Sequence, residues 1–231
     1  MDRYHILLVD DEAEIVDLME IYLKNEGYAV HKACSGEEAL GILREKPIHL
    51  VVLDIMMPGI DGLEVCRRIR ADQSIPIIML SAKSQDMDKI LGLGTGADDY
   101  MVKPFNPMEL IARIKSQIRR FFYLNESRKS DDHHVRIREL AINKNNHAVT
   151  VFGNEVNLTP TEYGILLLLS ENAGRVFSAE EIFERVWEEK YYESNNTVMA
   201  HIWRLREKIE ENPREPKIIE TVWGVGYKIE A

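Results

Sequence analysis

Asp10 and Asp11 follow the apolar run HILLV, Asp54 closes HLVVLD, Ser81 closes PIIMLS, and Lys103 follows DYMV. Each stands at the carboxyl end of a segment that reads as a short strand. In an open parallel sheet, ligands bind beyond those ends, where the strand order reverses. Three carboxylates gathered there repel one another and raise their own pKa values unless a cation stands among them. A hard divalent cation, magnesium above all, takes oxygen ligands and keeps positions open for water and a phosphoryl oxygen. With a hydroxyl at Ser81 and an ammonium at Lys103 facing the same crevice, the set suits transfer of a phosphoryl group to a carboxylate. Taken singly, an aspartate at a strand end is more simply a helix N-cap or turn former. Five suitable groups along one series of strands favour a common site.

The elements that must position these groups alternate. HILLVD precedes an amphipathic stretch from Glu12 to Asn25, YAV precedes Glu37 to Arg44, HLVVLD precedes Leu63 to Arg70, PIIMLS precedes Met87 to Leu93, and DYMV precedes Met108 to Arg120. Five strand-helix units in series predict a doubly wound parallel sheet covered on both faces, an α/β fold. Ile15, Leu18, Met19 and Tyr22 follow helical i, i+3, i+4, i+7 spacing, as do Ile111, Ile114 and Ile118 at i, i+3, i+7. This first domain is expected over 1–121. Residues 122–134 (FYLNESRKSDDHH) lose the periodicity and turn polar, as an inter-domain linker does.

From 135 to 231 the grammar changes. VRIRELAIN, AVTVF and EVNL, with an Asn/Lys-rich turn at 143–146, predict an antiparallel sheet. Helices follow at 160–171, 179–187 and 196–211, then a hairpin turning at Gly224 and Gly226. That order predicts a winged helix-turn-helix, whose second helix enters the major groove of duplex DNA while the wing meets the backbone or minor groove. On the third helix Val198, Ile202, Leu205 and Ile209 form one stripe, and Thr197, His201, Arg204 and Lys208 another at i, i+4, i+7, i+11. The first is expected to pack and the second to meet DNA, with Trp223 and Gly224 at the wing tip. A polar stripe on its own is a solvated face, so the order of elements carries this reading.

Composition bounds the answer. At 231 residues and 45% apolar content the chain can bury two ordinary cores. Its net charge of -10 divides evenly, 15 Lys and Arg against 20 Asp and Glu over 1–120 and 14 against 19 thereafter. A global basic field is absent, so DNA binding must rest on local arrangement. Cys34 and Cys66 lack the spacing of a zinc site or a disulfide framework, which fits a reducing compartment. The first residues lack the pattern of a secretory signal, and no apolar run approaches the ~18 residues of a membrane span. The expectation is a cytoplasmic protein without membrane association.

LLVDDE at 7–12, LDIMMPGIDG at 53–62, SA at 81–82 and DDYMVKPF at 98–105 resemble the receiver domain of two-component response regulators. The resemblance implies a flavodoxin-like (βα)5 fold in which Asp54 accepts a phosphoryl group from a sensor histidine kinase. It implies Mg2+ held by Asp10, Asp11, Asp54 and the backbone carbonyl of Met56. Ser81 would hydrogen-bond the phosphoryl, Lys103 would pair with it, and a cis bond would join Lys103 to Pro104. Tyr100 matches an aromatic that turns inward when the hydroxyl residue swings to the phosphoryl, although a half-buried strand tyrosine would look the same in sequence. LTPTEYGILLLL at 158–169, NNTVMAHIWRLREKI at 195–209 and TVWGVGYKI at 221–229 resemble the OmpR/PhoB class of winged-helix regulators. Within it, the NNT start and the PKIIETVWGVGYKIE ending resemble VanR-type regulators of vancomycin-type glycopeptide resistance.

The class implies receivers paired through the fourth helical segment, the fifth strand and the fifth helix. There Lys89, Arg113, Arg119 and Arg120 stand against Asp98, Asp99 and Glu109, although a merely solvated charged face would look the same in sequence. It implies output domains head to tail on direct-repeat DNA sites, with RNA polymerase as a further partner. Trp203 departs from a position where basic residues are common, and either meets DNA or packs against the neighbouring helix. Two rival functions remain. An aspartyl-phosphate hydrolase would need an acid/base carboxylate two residues after the nucleophile, where this chain has Met56. A phosphorylation-independent DNA-binding regulator would have no use for an intact acidic pocket.

Overall fold

The computed structural model describes residues 4–82, 94–122, 134–144, 146–188 and 197–230. The chain divides into two compact units, Met1–Ile118 and Arg119–Ala231. The helical segment expected at 87–93, with Lys89, lies outside the described residues, as do residues 123–133 of the expected linker.

In the first unit β1 (His5–Val9), β2 (Ala29–Ala33), β3 (Leu50–Asp54), β4 (Ile77–Ser81) and β5 (Asp99–Val102) form one sheet in the order β2-β1-β3-β4-β5. All four pairings are parallel. The apolar runs ILLV, LVVL and IIML are wholly buried, as strands covered on both faces must be. Helices α1 (Ala13–Asn25), α2 (Gly36–Glu45), α3 (Gly62–Asp72) and α4 (Pro107–Phe122), the last of which belongs to the second unit from Arg119 on, complete the described elements. Ser35 caps α2 by accepting from the Glu38 N–H, and Asp61 caps α3 by accepting from the Glu64 N–H. In α1 the buried stripe is Val16, Met19 and Leu23, with Leu18 exposed, so the expected stripe through Leu18 and Tyr22 is displaced by one position. Adjacent apolar stripes satisfy the same period, and the path of the chain out of β1 decides which meets the sheet.

The second unit begins with an antiparallel sheet of β6 (His134–Ile137), β7 (Leu140–Asn143), β8 (Ala148–Val151) and β9 (Asn154–Glu155). Within it, the segment VRIRELAIN is itself a hairpin, bent at Arg138, whose φ is +51°. Then come α5 (Pro160–Glu171), α6 (Ala179–Trp187), α7 (Thr197–Ile209) and a hairpin of β10 (Ile219–Val222) and β11 (Gly226–Ile229). Capping boxes open α5 (Thr159 with Glu162) and α6 (Ser178 with Glu181). The core joins Leu166 and Leu169 of α5, Ile182 and Trp187 of α6, and Val198, Ile202, Leu205 and Ile209 of α7. Phe177 pairs its backbone with Tyr227, docking the hairpin, and a Cβ at Gly226 would fall 1.9 Å from the Phe177 carbonyl oxygen.

Candidate functional site

The order β2-β1-β3 puts the reversal of strand order between β1 and β3, and Asp10 and Asp54 stand at the carboxyl ends of those two strands. Asp10 and Asp54 are buried and Asp11 is exposed, and one oxygen from each lies within 4.8 Å of the others. The Lys103 ammonium sits 2.7 Å from Asp10 Oδ2 and 3.1 Å from Asp54 Oδ1. Neither oxygen has another hydrogen-bond partner, so the ammonium alone holds both. The other Asp10 oxygen accepts from the Glu12 N–H at 3.0 Å. Glu12 itself approaches Lys103 at 3.3 Å, a fourth carboxylate that sequence reasoning left out although it follows Asp10 and Asp11 directly. Gly62 opens α3 against the Asp54 backbone, and a Cβ there would lie 2.1 Å from the Asp54 carbonyl oxygen. A glycine is therefore required for α3 to close over the end of β3.

Burial pushes the Asp54 carboxyl above its ordinary pKa, Lys103 works against that rise, and Asp10 and Asp11 add to it. Burial opposes the Lys103 charge, but Asp10 and Asp54 outweigh it and hold its pKa above the usual value. Buried carboxylate oxygens held only by the Lys103 ammonium, within 4.8 Å of an exposed third carboxylate, form a hard oxygen donor set that fits a divalent cation such as Mg2+. Ser81 is buried at the end of β4, two strands from β1. Tyr100 is half-buried on β5, Met56 is exposed two residues beyond Asp54, and the Lys103–Pro104 bond is cis.

The charges expected on the pairing face meet partners within the chain. Asp98 is fully buried, and its Oδ2 accepts from Arg70 Nη2 at 2.7 Å and from the Ile77 N–H at 3.0 Å. It is a structural counter-ion, which corrects its expected place on an exposed face. Asp99 is buried too, which corrects its expected exposed place: both its oxygens accept from Arg113 Nη1, at 2.9 and 3.0 Å, and Glu109 accepts from the same guanidinium at 2.8 Å. Arg120 is buried in the second unit, donating to Thr161 Oγ1, and so also departs from the exposed position expected of it.

The DNA stripe needs the larger correction. His201 and Thr197 are buried, with the His201 ring 5.4 Å from that of Trp187 on α6. Lys208 donates to Asn157 O and, at 2.6 Å, to Glu162 Oε2, and Arg204 Nε lies 3.6 Å from the other Glu162 oxygen. Glu162 thus joins the α5 capping box to α7. The physical reason is that α7 packs on two sides, against the core and against α6, so the polar stripe faces neighbours. Its outward residues are Met199, Trp203 and Glu207. Trp203 is 43% exposed and donates to Glu207 Oε1 at 3.0 Å. Trp223 and Gly224 stand at the hairpin tip as expected, with Trp223 90% exposed.

The family model for a response regulator receiver domain matches residues 6–115, and that for the C-terminal part of transcriptional regulatory proteins matches 153–229. The chain is 50% identical to regulatory protein VanRc of Enterococcus gallinarum, over 97% of this chain and 98% of that one. It is 48% identical to regulatory protein VanR of Enterococcus faecium, with the same coverage. The crystal structure of response regulator DrrB, a Thermotoga maritima OmpR/PhoB homologue, matches with a TM-score of 0.52 at 33% identity, covering all of both chains. No helix among the described residues is long and apolar enough to cross a membrane. An acidic pocket at the switch point of a receiver, followed by a winged helix and matched by relatives along nearly its whole length, makes this chain a member of the OmpR/PhoB class of two-component response regulators.

Proposed function

We propose that Asp54 takes a phosphoryl group from a sensor histidine kinase and that the phosphorylated protein pairs and binds duplex DNA to control transcription. The observation that carries this reading is the position of the Lys103 ammonium between the buried carboxylates of Asp10 and Asp54. One Asp54 oxygen forms the bond to phosphorus as the phosphorus–nitrogen bond of the donor histidine breaks, and the imidazole leaves with the bonding pair. Lys103 then pairs with a phosphoryl oxygen, and Ser81 donates its hydroxyl to another. Mg2+, held by Asp10, Asp11, Asp54 and the Met56 carbonyl, supplies charge compensation for the phosphoryl oxygens. Movement of Ser81 draws Tyr100 inward. A hydrolase acting on free aspartyl phosphates is disfavoured because the residue two beyond the nucleophile is Met56, which has no proton to give or take, and because the relatives found are transcriptional regulators.

With the receiver at 1–121 and the output domain at 135–231, the receiver pairs through the surface bearing Asp99, Glu109 and Arg113, whose contacts within one chain exchange for contacts across a two-fold axis. Asp99 is buried and only the Glu109 side of the cluster is exposed, and the solvent-facing pairs contribute about 0–1 kcal/mol each, so they set register more than strength. Doubling the α7 contacts gives the acidic chain useful affinity, on direct repeats about one helical turn apart. The location is the cytoplasm, RNA polymerase is the downstream partner, and the likeness to VanR and VanRc points to glycopeptide-resistance genes as targets. The test is labelling by a small phosphodonor with Mg2+ and by a partner kinase, followed by DNA titration. Asp54→Asn should lose the acid-stable label and the phosphorylation-dependent gain in DNA affinity. Full labelling of that variant would refute the assignment.

A further inference from the structure

Packing leaves α7 a narrow outward face. Val198, Ile202, Leu205 and Ile209 enter the core, and His201 lies against Trp187. Arg206 donates to Ile219 O and Thr221 Oγ1 beside the hairpin, and Lys208 is held by Glu162. Outward remain Met199, 50% exposed, Trp203, 43% exposed, and Glu207, at i, i+4 and i+8. A helix in the major groove meets bases whose one apolar feature is the C5-methyl group of thymine. From this outward pair we infer that Met199 and Trp203 are specificity-determining residues that read thymine methyl groups in each half-site, an inference that rests on the proposed docking of α7 in DNA.

Two further observations shape the argument. The indole N–H of Trp203 is satisfied by Glu207 Oε1, one turn along the same helix. That bond occupies the indole N–H, the ring's one polar group, and leaves its carbon atoms for contact with a base. Second, the chain has a net charge of -10, so it does not hold DNA by bulk attraction. An arginine at 203 would strengthen contact with any sequence through phosphate or guanine, whereas an indole gains only where a methyl group meets it. The outward face therefore adds selectivity and leaves the sequence-independent affinity low.

The experiment uses the full chain phosphorylated by a small phosphodonor with Mg2+, and a duplex recovered by selection from a randomised pool. Each thymine of one half-site is then replaced singly by deoxyuridine, which removes only the methyl group, and binding is titrated at fixed salt. One or two replacements should each weaken binding about fourfold, the ~0.8 kcal/mol of one buried carbon at 1.4 kcal/mol per factor of ten. In Trp203→Ala or Met199→Ala the affected thymine should become indifferent to its methyl group while the salt slope stays unchanged. Trp203→Phe should keep part of the sensitivity, and Trp203→Arg should bind all sequences more tightly with a salt slope steeper by about one. Methyl removal that changes nothing, or sensitivity that persists in both alanine variants, overturns the inference while DNA binding stands. A selection that enriches no duplex overturns the DNA-binding reading and this inference together.

Discussion

Replacing Asp98 by alanine separates a structural counter-ion from a pairing surface. In the native protein its Oδ2 accepts from Arg70 Nη2 at 2.7 Å and from the Ile77 N–H at 3.0 Å, in a site with no solvent exposure. Arg70 also donates to Gly96 O and Ile75 O, both at 2.7 Å. The alanine variant therefore leaves a buried guanidinium without its counter-ion and a β4 amide without its acceptor. Breaking a buried pair from one side costs about 3–5 kcal/mol, and the three carbonyls still bound to Arg70, those of Gly96, Ile75 and Gln73, place the loss at ~3 kcal/mol. With a urea m-value of roughly 2 kcal/mol/M, the receiver's midpoint should fall by about 1.5 M. All three tryptophans, at 187, 203 and 223, lie in the second unit, so their fluorescence reports the wrong transition. Far-ultraviolet circular dichroism, with amide exchange at Ile77, follows the receiver. Pairing Asp98→Leu with Arg70→Met should recover most of the loss, because two apolar groups need no charge partner. A variant as stable as the native chain, yet unable to pair on phosphorylation, would refute this reasoning and return Asp98 to the pairing face.

Met56→Asn should release the Asp54 phosphoryl group severalfold faster, because an amide two residues from the phosphoacceptor can orient an attacking water and a thioether cannot; phosphate release at fixed Mg2+ measures it, and an unchanged rate would count against a role for this position. Glu162→Gln should destabilise the output domain by about 1–2 kcal/mol, since it weakens the α5 capping box and strips Lys208 and Arg204 of their shared carboxylate, which thermal unfolding followed by tryptophan fluorescence would detect. Receiver stability should fall in mild acid. Burial pushes the His31 and His49 imidazoles below their ordinary value of 6.5, with Lys46 adding to the effect at His31 and His5 at both. His5 Nδ1 lies 3.0 Å from His31 Nε2, a contact in which one ring must offer a lone pair. The stability they lend is present above 6.5 and is lost as pH falls through 6.5 towards the lowered native values, where the unfolded chain takes up protons first. Circular dichroism across pH 7 to 5 should show the decline flattened in His31→Gln; an equal slope in both proteins would rule the pair out.

The alternation of buried apolar runs with amphipathic stretches, and the placing of Asp10, Asp54 and Ser81 at strand ends, were determined by the sequence itself. Such patterns depend on backbone periods of 2 and 3.6 residues and on neighbours a few positions away. The same holds for the hairpin at Gly224 and Gly226, where turn chemistry is local. What the tertiary structure decided was the partner of each polar group and the face each helix turns inward. Asp98 meets Arg70 across 28 residues and Lys208 meets Glu162 across 46, separations over which no periodicity carries information. In α1 and α7 two stripes a single position or two apart satisfied the same helical period, and only the neighbouring elements chose between them. That choice buried His201 and Thr197 and turned Met199 and Trp203 outward, because a helix held on two sides exposes only the arc that neither neighbour covers.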